Sequence, residues 1–186
     1  MLINYVKNDT YAAVNLPYGN GLWQMTVMLP EEGKTTDDII AYLAQSGWKT
    51  GDSENNPMSG ERAYEVDLKL PRFETSSDTN ELQGGLIGLL KPMGIRQVFD
   101  SYYSQVPNMF EQGNAYINMM RQKAVIKVNE KGSEAAAVTV AGMCYTTSVD
   151  PVVYPKATFH ANRPFVYLIR EQSSGVILFV GKFTGK

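Results

Sequence analysis

In the stretch Leu22 to Leu29 every second side chain is apolar, so that Trp23, Met25, Val27 and Leu29 share one face of an extended chain. Tyr18-Gly19-Asn20-Gly21 before it is rich in turn residues, and with Tyr11 to Leu16 upstream the pattern predicts a β-hairpin. Thr36, followed by Asp37 and Asp38, offers a helix cap and two acids for the positive end of the helix dipole, while Ile39, Ile40 and Leu43 fall on one helical face; this helix is expected to stop near Gly47. The polar stretch Gly51 to Gly60, with Pro57 inside it, reads as a loop between elements. From Tyr64 to Leu70 the alternation is strict, and Pro71 ends the strand. Leu82, Leu86, Leu89 and Leu90 recur at helical spacing after Asp78, but Gly84, Gly85 and Gly88 each cost up to ~1 kcal/mol of helix propensity, so only a short or frayed helix is expected. Ala115 to Val128 reads as one long strand-like segment, and Phe165 to Glu171 and Val176 to Phe183 as two strands joined at Gln172-Ser173-Ser174-Gly175. The sum is a mixed α+β chain, mostly antiparallel sheet with a few short helices.

Composition narrows the classes. With 44% hydrophobic and 19% charged among 186 residues, the chain has apolar material for one core, and residues 1–186 read as one domain. A net charge of -2 supplies no field for a phosphate backbone, which argues against nucleic acid. No apolar run approaches the ~20 residues of a membrane-spanning helix, and the N-terminal residues lack the regions of a signal peptide, so no membrane partner is expected. A single cysteine, Cys144, allows no internal disulfide. The acids are scattered singly and one histidine with one cysteine makes no metal set, so no cofactor is expected. Gln83-Gly84-Gly85 to Gly88 is no phosphate loop, because no Lys-Ser/Thr pair follows.

The long stretch between Val128 and Phe165 has little obvious core content and far exceeds the ~12–15 residues usual for a structureless loop. Within it, Asn129-Glu130-Lys131-Gly132-Ser133-Glu134-Ala135-Ala136-Ala137-Val138-Thr139 has a property that a plain loop does not need. Extended, it turns Ser133, Ala135, Ala137, Thr139 and Ala141 to one side, all small enough to slide beneath covering structure. No proline interrupts Glu130 to Asp150, so every backbone N–H there can join a ladder, and Gly132 supplies a pivot. The segment can become a buried strand.

Residues 128–139, Val-Asn-Glu-Lys-Gly-Ser-Glu-Ala-Ala-Ala-Val-Thr, closely resemble the proximal hinge of inhibitory serpins. Leu-Pro-Glu-Glu-Gly-Lys (29–34), Val-Asp-Leu-Lys-Leu-Pro-Arg-Phe (66–73), Met-Gly-Ile-Arg-Gln-Val-Phe (93–99), Phe-His-Ala-Asn-Arg-Pro-Phe (159–165) and Gly-Val-Ile-Leu-Phe-Val-Gly-Lys (175–182) support the resemblance, in serpin order. It covers nearly the whole chain, yet a complete serpin is about twice as long, so the chain is expected to be the C-terminal half of the α+β serpin fold, with its N-terminal half preceding Met1.

The resemblance implies a bait mechanism rather than enzyme activity. A target serine or cysteine protease attacks the loop, about residues 130–156, and forms an acyl-enzyme; the cut loop then inserts into a sheet before deacylation and drags the protease with it. Insertion of about a dozen residues creates two ladders, and at ~0.5–1.5 kcal/mol net per hydrogen bond the gain is on the order of 10 kcal/mol. Hinge residues Glu130, Gly132, Ser133, Ala135, Ala136, Ala137 and Thr139 would enter the sheet, and Lys34 would pair with Glu130. Counting from the hinge glutamate places the reactive bond at Thr146-Thr147, while counting back from Arg163-Pro164 places it nearer Val152 or Val153; the hinge count is favoured because insertion length is set from that end. The resemblance also implies an extracellular or cell-envelope location. A chain lacking half its scaffold would expose sheet edges and self-associate. Two other readings stand beside this one. The chain could be a non-inhibitory binding or structural remnant, inactive as a fragment, or a cysteine hydrolase, which would require a contact between Cys144 and His160 that no surrounding motif suggests.

Overall fold

The computed structural model describes residues 1–19, 21–46, 48, 62–104, 115–129 and 153–185. Two compact units emerge, one of Met1–Phe73 with Val128–Lys186 and the other of Glu74–Lys127.

The first unit is built on a seven-stranded sheet in the order β7-β4-β1-β2-β3-β8-β9. Its strands are β1 (Leu2–Lys7), β2 (Tyr11–Tyr18), β3 (Trp23–Pro30), β4 (Arg62–Lys69), β7 (Lys156–His160), β8 (Phe165–Glu171) and β9 (Ile177–Phe183). All neighbours are antiparallel except β4 and β7. The expected hairpin is β2–β3, with Tyr18 opposite Trp23 and Tyr11 opposite Pro30. Met25, Val27 and Leu29, on the face that alternation gave them, are buried, whereas Trp23 on the same face is 40% exposed because it sits at the turn end of the hairpin, where the ladder ends. Thr26, Gln24 and Met28, on the other face of the strand, are buried as well.

The reason is helix α1 (Thr36–Gln45), whose Ile39 and Leu43 are wholly buried against Ala13, Met28, Val166 and Leu168. Further along the sheet, buried polar side chains bond to one another, while the Asn15 Nδ2 amide has no hydrogen-bond partner among the described residues. Thr26 Oγ1 donates to Asn15 Oδ1 at 2.5 Å, and the Gln24 amide oxygen accepts from the Arg170 guanidinium. The cap of α1 is Thr35, not Thr36. Thr35 has the extended backbone that an N-cap needs, its hydroxyl accepts from Asp38 N at 3.3 Å, and the Asp38 carboxylate accepts from Thr35 N at 2.8 Å; Thr36 is already helical and buried. The helix ends at Gln45 with Ser46 as its C-cap, close to the expected Gly47.

On the opposite side of the sheet Phe73 stacks on Phe165, Tyr167 and Phe183 with ring centroids 5.1–5.4 Å apart. Tyr167 lies directly over Gly181, its cross-strand partner, and a Cβ at Gly181 would overlap the ring. At the β8–β9 turn the Glu171 carboxylate accepts from the hydroxyls and backbone N–H groups of Ser173 and Ser174 at 2.5–3.1 Å. Those bonds, Ser174's hydroxyl first, lower its pKa to about 2, so the turn keeps this anchor at every pH above the ordinary glutamate range and loses it only as pH falls toward 2.

In the second unit, β5 (Phe73–Asp78) and β6 (Lys123–Val128) form a two-stranded sheet; their end residues Phe73 and Val128 belong to the first unit. Helix α2 (Gly85–Leu90) is as short as the glycines predicted: Gly84 and Gly85 have φ of 78° and 58°, a left-handed conformation at the helix start. The strand expected over 115–128 forms only from Lys123. Upstream of it the chain is held by isolated bonds, with Arg121 on Asp78 at 2.5 Å, Gln122 N donating to Thr79 Oγ1 at 2.8 Å, Thr79 N donating to Gln122 O at 3.0 Å and Ile117 N to Val98 O at 2.9 Å. Asp78 also caps a 3-10 turn over Thr79–Glu81.

Gly181→Ala is expected to destabilise by about 1–3 kcal/mol through overpacking, read as a lower urea midpoint, and to cost little in a Tyr167→Ala background. Equal costs in both backgrounds would show that the tyrosine ring is not the obstacle.

Candidate functional site

The expected bait segment lies between β6 and β7, and its flanks are described. Val128, the last residue of β6, is buried. Glu130, Gly132, Ser133, Ala135, Ala136, Ala137, Thr139, Thr146 and Thr147 lie outside the described residues, as do Cys144 and Val152. Val153 precedes β7 and is exposed.

The chain then re-enters the sheet on its edge. Pro155 O accepts from Glu65 N at 2.9 Å, β7 runs parallel to β4 from Lys156 to His160, and Ala161 N closes the ladder on Lys69 O at 2.8 Å. Phe159 is buried, so this part of the stretch before Phe165 contributes to the core after all. The opposite face carries charge: Lys156 Nζ lies 3.6 Å from Glu65, and His160 Nε2 lies 2.7 Å from the Asp67 carboxylate. The His160 hydrogen bond, ahead of smaller charge effects, lowers the Asp67 pKa. His160 thus spends a ring nitrogen on a carboxylate of β4, a placement that gives no support to the cysteine hydrolase reading.

Two basic residues brace the turn after β3. Arg163 donates through Nε and Nη2 to Pro30 O at 3.1 and 2.5 Å, and Lys7 pairs with Glu31 at 2.9 Å. The turn closes with Lys34 N donating to Glu31 O at 3.0 Å, and Gly33 takes the φ of 77° that this requires. Lys34 is exposed there, directly before the α1 cap. Asp67 and the Arg163–Pro30 link were not singled out from the sequence. Strict alternation over β4 did put Glu65, Asp67 and Lys69 on one face, but nothing local reveals a parallel partner.

Among the described residues no group of three or more His, Cys, Asp or Glu side chains could hold a metal ion, and no helix is long and apolar enough to cross a membrane.

An α+β frame whose sheet edge receives a long segment rich in small residues is the class these observations define. A family model described as "Serpin (serine protease inhibitor)" matches residues 2–185, and the chain belongs to the serpin family. Serpin B11 of Homo sapiens is 31% identical over 178 residues, covering 96% of this chain and 42% of that protein. The leukocyte elastase inhibitor of Homo sapiens is 26% identical over 182 residues, covering 97% of this chain and 45% of that protein. A solved serpin from the trematode Schistosoma haematobium shares the fold with a TM-score of 0.70 at 23% identity, over 98% of this chain and 44% of that one. The chain thus spans less than half the length of these relatives.

Arg163→Met removes the two-pronged bond to Pro30 O and is expected to cost about 1–2 kcal/mol in urea unfolding at unchanged m, whereas Arg163→Lys recovers only part of this because an ammonium cannot reproduce the planar fork. A midpoint unmoved by Arg163→Met would show that the turn does not need the brace.

Proposed function

We propose that the chain is the bait-carrying part of an endopeptidase inhibitor that works by loop cleavage, acyl-enzyme trapping and loop insertion, with no catalytic group of its own. The single observation behind this reading is the hinge sequence from Glu130 to Thr139, small on one side and free of proline, in a chain of the serpin family. The partner is a serine or cysteine protease. The reactive bond is Thr146-Thr147, and Lys34, exposed in its turn, is the proposed partner of Glu130. An extracellular or cell-envelope location is the part of the proposal that rests on the family resemblance alone.

The test belongs in the full-length protein. Ser133 is proposed as the first inward-facing side chain to enter the sheet, and Ser133→Arg must either bury an unpaired charge or hold the hinge out. Each 1.36 kcal/mol added to the insertion barrier slows that step tenfold, so a few kcal/mol hand the race to deacylation. The expected result is a large rise in the stoichiometry of inhibition, with cleaved loop and active protease in place of covalent complex. Equal complex per cleavage in wild type and variant would sink the hinge assignment. In the same assay Lys34→Ala is expected to alter insertion only mildly, since an exposed pair is worth ~0–1 kcal/mol.

A second reading, an inactive fragment, is favoured for the chain made alone by one observation. β9 exposes Leu178, Phe179 and Val180, and Val176 just before it, while the outer edges of β7 and β9 have no partner among the described strands. Made alone, the chain is expected to sediment as more than a monomer and to form no SDS-resistant complex with a serine protease. A monomer that trapped protease would overturn this.

A further inference from the structure

We propose that His160 and Asp67 form a protonation-dependent clasp that fastens β7 to the sheet and tightens as the pH falls through the imidazole range. The inference goes beyond the inhibitor reading and stands without it.

The observation is geometric. β7 is five residues long, lies at the edge of the described sheet and hydrogen-bonds to one neighbour among the described strands, β4, in the parallel arrangement. Parallel pairing is slightly less stable per residue than antiparallel, and an edge strand lacks a second ladder. Side-chain contacts across β4–β7 therefore carry an unusual share of its hold. On the inner side the register sets Ala157 opposite Val66 and Phe159 opposite Leu68, with Val66 and Phe159 buried. On the outer side they are two ion pairs of unequal quality. Lys156–Glu65 is long, at 3.6 Å, and its side chains are 82% and 61% exposed. His160–Asp67 is short, at 2.7 Å, and the His160 side chain is only 33% exposed.

Position gives the better pair its leverage. β7 runs from Lys156 to His160, so an opening that starts at its N-terminal end begins at Lys156 and proceeds toward His160. The clasp sits at the far end, beside the Ala161 N to Lys69 O bond, where peeling would stop.

The chemistry sets the direction. The carboxylate of Asp67, held below its usual range, stays ionised throughout the pH range in which an imidazole ordinarily changes charge, about 5 to 8. An imidazolium carries a proton on both ring nitrogens and so always presents a charge-assisted donor to Asp67. A neutral ring has one proton; on Nε2 it gives a weaker bond, and on Nδ1 it turns a lone pair toward the carboxylate. Closure of β7 is thus favoured most at the acidic end and weakens as pH rises. The other charges that face the pair are Lys69, opposite His160 in register and repelling the imidazolium, Glu65 and Lys156 at the far end, and the Met1 amino group, whose charge reaches Asp67. Lys69 makes the expected effect modest.

The experiment is hydrogen–deuterium exchange of peptides spanning β7 in the whole protein, at pH values from about 5.5 to 8 and corrected for intrinsic exchange. Local opening of β7 is expected to be about three-fold rarer at the acidic end in wild type, a size typical of a partly exposed pair. The slope should vanish in both His160→Gln and Asp67→Asn. Lys156→Gln should raise opening at every pH and keep the slope. A slope that survives His160→Gln or Asp67→Asn overturns the proposal, and so does one shared by peptides from β2 and β3, which would mark a global titration. Should His160→Gln lose protection throughout the sheet, Asp67→Asn, at a 60% exposed side chain, carries the same test. Failure here leaves the inhibition assays untouched, and failure there leaves β7 to be judged by exchange alone.

Discussion

The antiparallel pairing of β3 with β8, from Trp23 opposite Glu171 to Met28 opposite Val166, is the constraint on which the first unit depends. It joins a strand near the start of the chain to one near its end, and without it neither half of the sheet has a closed core. Helix α1 lies on Met28 and Leu168 together, and the aromatic group around Phe73 needs Phe165, Tyr167 and Phe183 in place. Loop closure costs only about 0.6 kcal/mol more for each doubling of length, whereas each fully buried Val, Leu or Met side chain contributes about 1.5–3 kcal/mol. Val27, Met28, Val166 and Leu168, all at or near zero exposure, therefore outweigh the cost of meeting across so much chain.

Burial is uneven across this sheet. β2 and β3 are buried on both faces for most of their length, while β7 is covered on one face and has a single neighbour among the described strands. Opening energies follow burial and hydrogen-bond count, so among the described strands the central ones are held most firmly and β7, which follows the proposed bait segment, is held less. An inhibitor of the proposed kind needs both properties, a frame that does not yield and a connection that can. The clasp at Asp67 and His160 adds a polar contribution at the place where apolar burial is thinnest.

The periodic elements were legible in the sequence because their signals are local. The β2–β3 hairpin, the strand ended by Pro71 and the brevity of α2 follow from alternation, turn residues and glycine cost. Errors arose where a distant partner decided the outcome. Nothing near Gln24 and Thr26 in the sequence announces that α1 and Arg170 share their side of the sheet and that both are buried there. Residues 115–122 read as strand because their β-propensity was not opposed by any local signal, yet Arg121 and Gln122 bond to Asp78 and Thr79 instead of a ladder. Thr36 was taken for the cap by one position, a difference that backbone conformation alone resolves.

The sequence by itself determined the family and the expectation of a mobile bait, since small side chains at alternate positions and the absence of proline are properties of the order of residues and need no coordinates to be read. Only the tertiary structure decided that β7 runs parallel to β4, that His160 meets Asp67, and that Arg163 holds the carbonyl of Pro30. Register between strands remote in sequence is set by which buried faces must coincide, and that is a property of the assembled core rather than of either strand.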